Sequence, residues 1–272
     1  MDIGARNRFR GWVREWRRSA AWLDLHSASR VADSLEGFLG LPHETLLRYI
    51  RELGFDLEFL SYLALKRREA MKIEPRVAGW MPYPLLFCLY AIVRWRKPET
   101  FVETGVGPGS SSSFILRAMQ KNGIGQLVSI DLPGHDAVVY PGIGKQADVH
   151  IPHGFSTGWL ILPSTRSRWD LRLGDSRTIL PQVLEETGRI DAFLHDSLHT
   201  YEQMTFEYSE AYPRLREGGL LLSDDVTESW SLAFVDFCRK RGVPFTILDG
   251  RLGVARVQSP TDVSAQSGQP VS

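Results

Sequence analysis

The stretch Phe101-Val102-Glu103-Thr104-Gly105-Val106-Gly107-Pro108-Gly109-Ser110 constrains this chain more than any other. Apolar residues run into an acidic one, glycine recurs at every second position, and a serine run opens an apolar segment. A buried strand that breaks at a tight turn and resumes as a helix has this form. Glycine accepts positive φ and, lacking Cβ, lets a ligand touch bare backbone. The first turn of the helix then offers unpaired N–H donors. The pattern is that of a nucleotide-cofactor turn.

The spacing G-x-G-x-G differs from the G-x-G-x-x-G of a dinucleotide site. Glu103 narrows the choice further. A carboxylate beside the cofactor repels a pyrophosphate held at a helix N-terminus, but it suits a cofactor that carries an ammonium group and no phosphate. S-adenosylmethionine (SAM) is such a molecule. On these residues the chain resembles class I SAM-dependent methyltransferases, whose first motif is E/D-x-G-x-G-x-G. A glycine-rich turn without a ligand is the competing explanation. The resemblance spans roughly residues 78–257 and implies that Glu103, Thr104, Gly105, Gly107, Gly109 and Ser111 seat SAM.

Beyond Pro82 helices and strands alternate. A helix over 82–95 precedes the strand Thr100 to Glu103, and a helix from Ser111 to Lys121 follows the turn. Strands follow at Gln126 to Ile130, Trp169 to Leu173, Ile190 to Leu194 and Leu220 to Leu222, with helices over 177–187, 200–216 and 229–241. Gly218-Gly219 reads as the cap of the second of these helices. Pro244 to Leu248, the turn Asp249-Gly250 and Leu252 to Val257 form a closing hairpin. The alternation predicts an α/β fold with a doubly wound, Rossmann-like parallel sheet. The resemblance makes it the seven-stranded methyltransferase sheet with an antiparallel last strand.

Three segments lie outside that alternation. Residues 1–77 read as a helical N-terminal extension, with stripes at Phe9, Trp12, Val13, Trp16 and at Leu46, Leu47, Ile50, Leu53. It serves as a substrate cap or an oligomer contact, and its tryptophans suit a homo-oligomer. Residues 132–167 form a long Gly/Pro/His-rich excursion, expected to be a lid or substrate wall or else a packed loop. The tail 258–272 has the composition of a disordered segment.

Acidic residues fall at the carboxyl ends of the strands, where open α/β sheets bind ligands. Asp131 closes the second strand, and family resemblance gives it the ribose hydroxyls. Asp175 and Ser176 resemble the adenine-side segment of small-molecule O-methyltransferases and serve equally well as a helix cap. His195 borders the adenosine or has another role. Asp196, Asp224 and Asp225 would converge at one rim, where like charges need a cation or raised pKa values. A divalent ion with oxygen ligands, most simply Mg²⁺, answers that need, as in catechol-type O-methyltransferases. His199, three residues after Asp196, stands where such relatives carry a general base. It suits removal of a hydroxyl proton, a structural or substrate-orienting role being the alternative.

Composition removes other classes. With 32 Lys+Arg against 32 Asp+Glu the net charge is zero, which excludes a whole-protein nucleic-acid footprint. Charge is uneven, with Arg6, Arg8, Arg10, Arg14, Arg17, Arg18 and Arg30 in the first thirty residues. The apolar run 85–93 is too short for a stable membrane insertion. No secretory signal is visible, and Cys88 and Cys238 read as buried free thiols, so a cytoplasmic protein is expected. Glu103 and the glycine spacing disfavour an NAD-dependent oxidoreductase. The absence of an Asn/Asp-Pro-Pro-Tyr/Phe motif after the fourth strand disfavours a DNA amino-methyltransferase. The expected function is SAM-dependent O-methylation of a hydroxylated small molecule, a sugar or secondary metabolite, with Mg²⁺ and His199 as base. A metal-independent O- or N-methyltransferase and a non-catalytic SAM-fold scaffold remain as alternatives.

Overall fold

A computed structural model of the protein describes residues 27–74, 81–133, 138–139, 146–147, 151–227 and 231–258. The stripe of Phe9, Trp12, Val13 and Trp16, the tail beyond Gln258 and most of 132–150 lie outside the described residues.

Helices α1 (Ser27–Leu39), α2 (His43–Gly54), α3 (Leu57–Ile73) and α4 (Tyr83–Arg96) come first. The apolar spacing of α2 buries Leu46, Tyr49 and Leu53. Asp56 caps α3, its carboxylate accepting from the Phe59 N–H at 3.2 Å. The same carboxylate takes Arg117 at 2.6 Å in a buried pair, and Glu52 takes Arg94 at 2.8 Å. The first pair fastens the early helices to the sheet domain, and the second ties α2 to α4. Helix α4 is buried continuously from Leu85 to Val93, so it runs through the core rather than over it.

The sheet strands are β1 (Thr100–Thr104), β2 (Gln126–Asp131), β5 (Trp169–Leu173), β6 (Ile190–His195), β7 (Leu215–Ser223), β8 (Phe245–Leu248) and β9 (Leu252–Arg256). Their order is β5-β2-β1-β6-β7-β9-β8. The first five strands of that order are parallel, and β9 runs antiparallel between β7 and β8. Helix α5 (Ser110–Asn122) packs with α1–α4 on one face. Helices α6 (Ser176–Thr187), α7 (Tyr201–Ala211) and α8 (Ala233–Arg241) cover the other. The expected seven-stranded, doubly wound sheet with an antiparallel last strand is the one found. Both cysteines are free and buried. No described helix is long and apolar enough to cross a membrane.

Two expectations need correction. The helix expected to reach Arg216 ends at Ala211, and a 3-10 turn, Tyr212–Arg214, leads directly into β7. Pro213 cannot supply the N–H a continuing helix requires, and Leu215 already pairs with Ile190. Gly218-Gly219 therefore lies inside a strand, at a register shift, rather than at a helix cap.

The other concerns the excursion. It carries a short antiparallel pair, β3 (Val138–Val139) with β4 (Gln146–Ala147). Its described second part is packed into the core, the packed-loop alternative rather than the lid. Trp159, Leu160, Ile161 and Leu162 are buried. The Gly158 N–H donates to Gly107 O and the Leu160 N–H to Pro108 O, both at 2.9 Å. This segment is clamped onto the outside of the glycine turn.

Candidate functional site

One residue past their ends, the parallel strands are stitched into a rim. Gly174 N donates to Asp131 O and Gly105 N to Ile130 O, each at 2.8 Å. Asp196 N donates to Thr104 O and Asp224 N to His195 O, each at 2.9 Å. The glycine turn and the carboxylates are thus carried on one continuous edge. Gly105 marks the join: at φ +83°, a Cβ there would overlap the Asp196 carbonyl oxygen. At Gly107 (φ +50°), by contrast, nothing described lies within 4 Å of a Cβ position. Backbone open to a ligand, beside the N-terminus of α5, fits the turn expected for SAM.

Successive residues of β1 point to opposite faces, and each enters a different polar centre. Glu103 is fully buried toward α5. Its carboxylate accepts from the hydroxyls of Ser111 at 3.3 Å, Ser129 at 2.6 Å, and Ser112. Burial pushes its pKa up to about 7, the three hydroxyls oppose that rise, and the nearby Asp131 adds to it. Glu103 and Ser111 therefore form the foundation of the turn. Asp131 accepts from the N–H of Gly107 at 2.8 Å and of Leu132 at 2.9 Å, with burial raising its pKa.

Thr104 faces the other way and donates to Glu207. Glu207, also fully buried, accepts in addition from Ser176 at 2.7 Å, Ser197 and Gln203 at 2.8 Å and His195 Nδ1 at 2.6 Å. Burial alone would raise its pKa, but the His195 imidazole, Thr104 and Ser176 prevail and hold it at about 2. An ionised carboxylate only accepts, so Nδ1 of His195 carries the hydrogen facing it. Nε2 of His195 is buried, with no hydrogen-bond partner among the described residues. Asp175 caps α6, accepting from Arg177 N at 2.9 Å, so of its two readings the structure displays the cap. Ser176 is engaged by Glu207.

The third centre lies at the ends of β6 and β7. Ligand atoms of Asp196, His199 and Asp224 lie within 4.8 Å of one another. Two carboxylates and one imidazole are a donor set that fits a divalent cation. The sequence put Asp225 in that set, but the structure puts His199 there. Asp225 takes the left-handed conformation, φ +53°, and its carboxylate sits 3.9 Å from His199 Nε2 and 2.8 Å from Arg251 Nε. Burial and the neighbouring Asp224, Glu103 and Asp225 carboxylates push Asp196 well above the usual carboxylate range, while Arg251 opposes the shift. Burial and Asp224 raise Asp225 to about 6, opposed by Arg251 and His195. Burial, His195 and Arg251 lower His199 to about 3, so its imidazole is neutral.

Sequence reasoning missed Arg251 and Glu207. Arg251 donates from Nε and Nη2 to Asp224 at 3.1 and 2.9 Å. Its signal was available: it follows the Asp249-Gly250 turn, and a hairpin antiparallel to β7 brings that turn to the rim. Glu207 lies one helical turn after Gln203 on α7, so the two side chains share a face. Nothing in the sequence alone says that this face looks under the rim. A separate cavity of about 420 Å³, lined by Ile92, Arg96, Phe101, Asp191 and Gly218 among others, opens at the opposite, N-terminal edge of the sheet.

The sheet order, the glycine turn and the acidic rim define the class I methyltransferase architecture. Residues 102–226 match the family described as "Methyltransferase domain". They are a SAM-dependent methyltransferase domain, and the chain is an enzyme of that kind. No curated protein matches the sequence. Among solved structures, a methyltransferase from Geobacter sulfurreducens is similar at 17% identity and TM-score 0.52, covering 73% of this chain and 90% of that one. The S-adenosylhomocysteine-bound methyltransferase PaMTH1 of Podospora anserina is 12% identical with TM-score 0.51, covering 73% and 88%. A Klebsiella pneumoniae protein described as an O-methyltransferase is 17% identical with TM-score 0.51, covering 75% and 91%. At these identities the likeness speaks for the fold alone.

Proposed function

We propose that this chain transfers the methyl group of SAM to a hydroxyl of a small molecule, a sugar or secondary metabolite, at the rim formed by Asp196, His199 and Asp224. The observation that carries the reading is the adjacency of two unlike sites. An open glycine turn meets a cluster of side chains able to hold a cation across one backbone junction, where Asp196 lies against Thr104 and Gly105. A methyl donor seated on the turn has the oxygen-binding cluster as its immediate neighbour, which suits transfer to oxygen by positioning.

In this reading the open Cα face of Gly107 and the carboxylate of Asp131 border the nucleoside end of SAM. Glu103 keeps the start of α5 in place and contributes negative charge toward the amino-acid end. Asp196, Asp224 and the neutral His199 hold a divalent cation, most simply Mg²⁺. Such an ion supplies Lewis-acid polarisation of the acceptor hydroxyl.

A second reading has an observation of its own. Arg251 already provides a positive charge to Asp224 and Asp225, and His199 faces Asp225. There His199 takes the hydroxyl proton directly and no metal takes part. The two readings separate by measuring S-adenosylhomocysteine release over a panel of sugars and phenols. The first expects turnover to vanish after exhaustive chelation, to return with Mg²⁺, and to be lost in Asp224→Asn. Turnover indifferent to both treatments establishes the second. A non-catalytic role is supported instead if SAM gives no thermal shift at all.

A further inference from the structure

Arg251 has a placement that catalysis by the Asp196–His199–Asp224 cluster does not by itself require. Its backbone is fixed: Arg251 N donates to Leu248 O and Arg251 O accepts from Val226 N, each at 3.0 Å. The second of these bonds ties the hairpin to the residue that follows Asp225. The side chain then crosses the carboxylate pair. Nε and Nη2 engage both oxygens of Asp224, and Nε also reaches Asp225. The Asp224 side chain is only 3% exposed, whereas that of Arg251 is 32% exposed. The buried member of the pair is the proposed cation ligand, and the exposed member is its counter-ion.

We propose that Arg251 is the resident counter-ion of this site and competes with a divalent cation for Asp224, so that it sets the affinity of the site for that cation. The inference rests on the cation site proposed above. Three carboxylates face one another here, and among the described residues Arg251 is the guanidinium paired with two of them, Asp224 and Asp225. A divalent ion added beside that guanidinium brings the whole cluster to neutrality. Without the guanidinium the same ion meets one more net negative charge, at short range and in a poorly solvated place, where charge interactions are strong. Arg251 also occupies both Asp224 oxygens, so a cation must share them with a bidentate fork or displace it. Both effects weaken cation binding, and both disappear when the guanidinium is removed. Because the arginine backbone is anchored on the hairpin, the displaced guanidinium keeps Asp225 within reach. Asp225 is thereby a second berth for Arg251 rather than a ligand of the metal.

The test is a Mn²⁺ titration of the full-length chain, followed by the loss of the free-ion electron paramagnetic resonance signal, with no acceptor and no turnover. Arg251→Met keeps the apolar stem and removes the charge. We expect it to bind Mn²⁺ about tenfold more tightly than the unaltered chain or better, the effect of freeing one ion pair that must otherwise yield. Arg251→Lys keeps the charge without the fork and falls between the two. Circular dichroism and the SAM-induced thermal shift establish that each variant is folded. Equal or weaker Mn²⁺ binding by folded Arg251→Met, where the unaltered chain does bind, overturns the competition and leaves the cation site standing. No Mn²⁺ binding by any of the three proteins removes the cation site and this inference with it.

Discussion

Glu103 stands on β1 and Glu207 is reached from its neighbour Thr104; both are fully buried and ringed by hydroxyl donors, yet their charge states diverge. Glu103 has three serine hydroxyls and is pushed up to about 7. Glu207 has three hydroxyls, an amide and an imidazole and is held at about 2. Burial acts in the same direction on both. What differs is the company: His195 faces Glu207, whereas the charge that acts on Glu103 is the carboxylate of Asp131, which raises it further. Hydroxyls soften the cost of a buried charge, and a facing imidazole is what keeps the carboxylate ionised. The β1–α5 side is thus a carboxylate poised to change charge, while the β6–α7 side is a fixed anion that sets the hydrogen position on His195.

The comparison is broken most forcefully at Glu207. Glu207→Ala strips the acceptor from five donors on four different segments, and we expect a loss of about 3–5 kcal/mol, the usual cost of removing one partner of a buried pair. Urea unfolding at pH 7 measures it. A loss under about 1 kcal/mol contradicts the hub.

Next comes the pH dependence. The folded value of Glu103 lies above its ordinary 4.5, so the native state binds the extra proton. Its contribution is present below pH 4.5 and is lost as pH rises to about 7. Glu207 has the opposite sign: its contribution is present above 4.5 and is lost as pH falls toward 2. Glu103→Gln therefore gains on the unaltered chain as pH climbs from 4.5 to 7.5, by roughly 3 kcal/mol from the size of the shift. Stability curves that stay parallel across that window refute the assignment.

The smallest effects come from single donors. Ser112→Ala removes a hydroxyl from Glu103, and Thr104→Val removes one from Glu207. Each costs about 1–2 kcal/mol. The Ser112 cost grows between pH 5 and pH 8 as Glu103 ionises, while the Thr104 cost stays flat because Glu207 is charged throughout. Thermal unfolding at several pH values reads both.

How far the sequence discloses this site follows from range. The glycine turn, the strand ends at Asp131 and Asp196 and the Asp249-Gly250 hairpin are local patterns, and each lies where its pattern places it. The end of the helix before β7 was misjudged because Pro213 and the pairing of Leu215 outweigh a helical run. Glu103 was legible as an acidic residue at a turn, but its burial under Ser111, Ser112 and Ser129 depends on a neighbouring strand and helix. The convergence of Asp196, Asp224 and Asp225 followed from strand order. The exchange of Asp225 for His199 in the donor set did not, because it turns on one positive φ and on Arg251 arriving from a hairpin 26 residues away. Side chains that meet through tertiary contact leave no periodic trace in the chain.

The central claim is that the glycine turn holds the methyl donor while Asp196, His199 and Asp224 hold a cation beside it. Crystals grown with S-adenosylhomocysteine and Mn²⁺, recorded at the manganese absorption edge, test it in one map. The account predicts the cofactor product on Gly105–Gly109 and an anomalous peak ligated by Asp196, His199 and Asp224. Cofactor density on the turn with no peak at those three side chains, Arg251 still bridging Asp224 and Asp225, would contradict it.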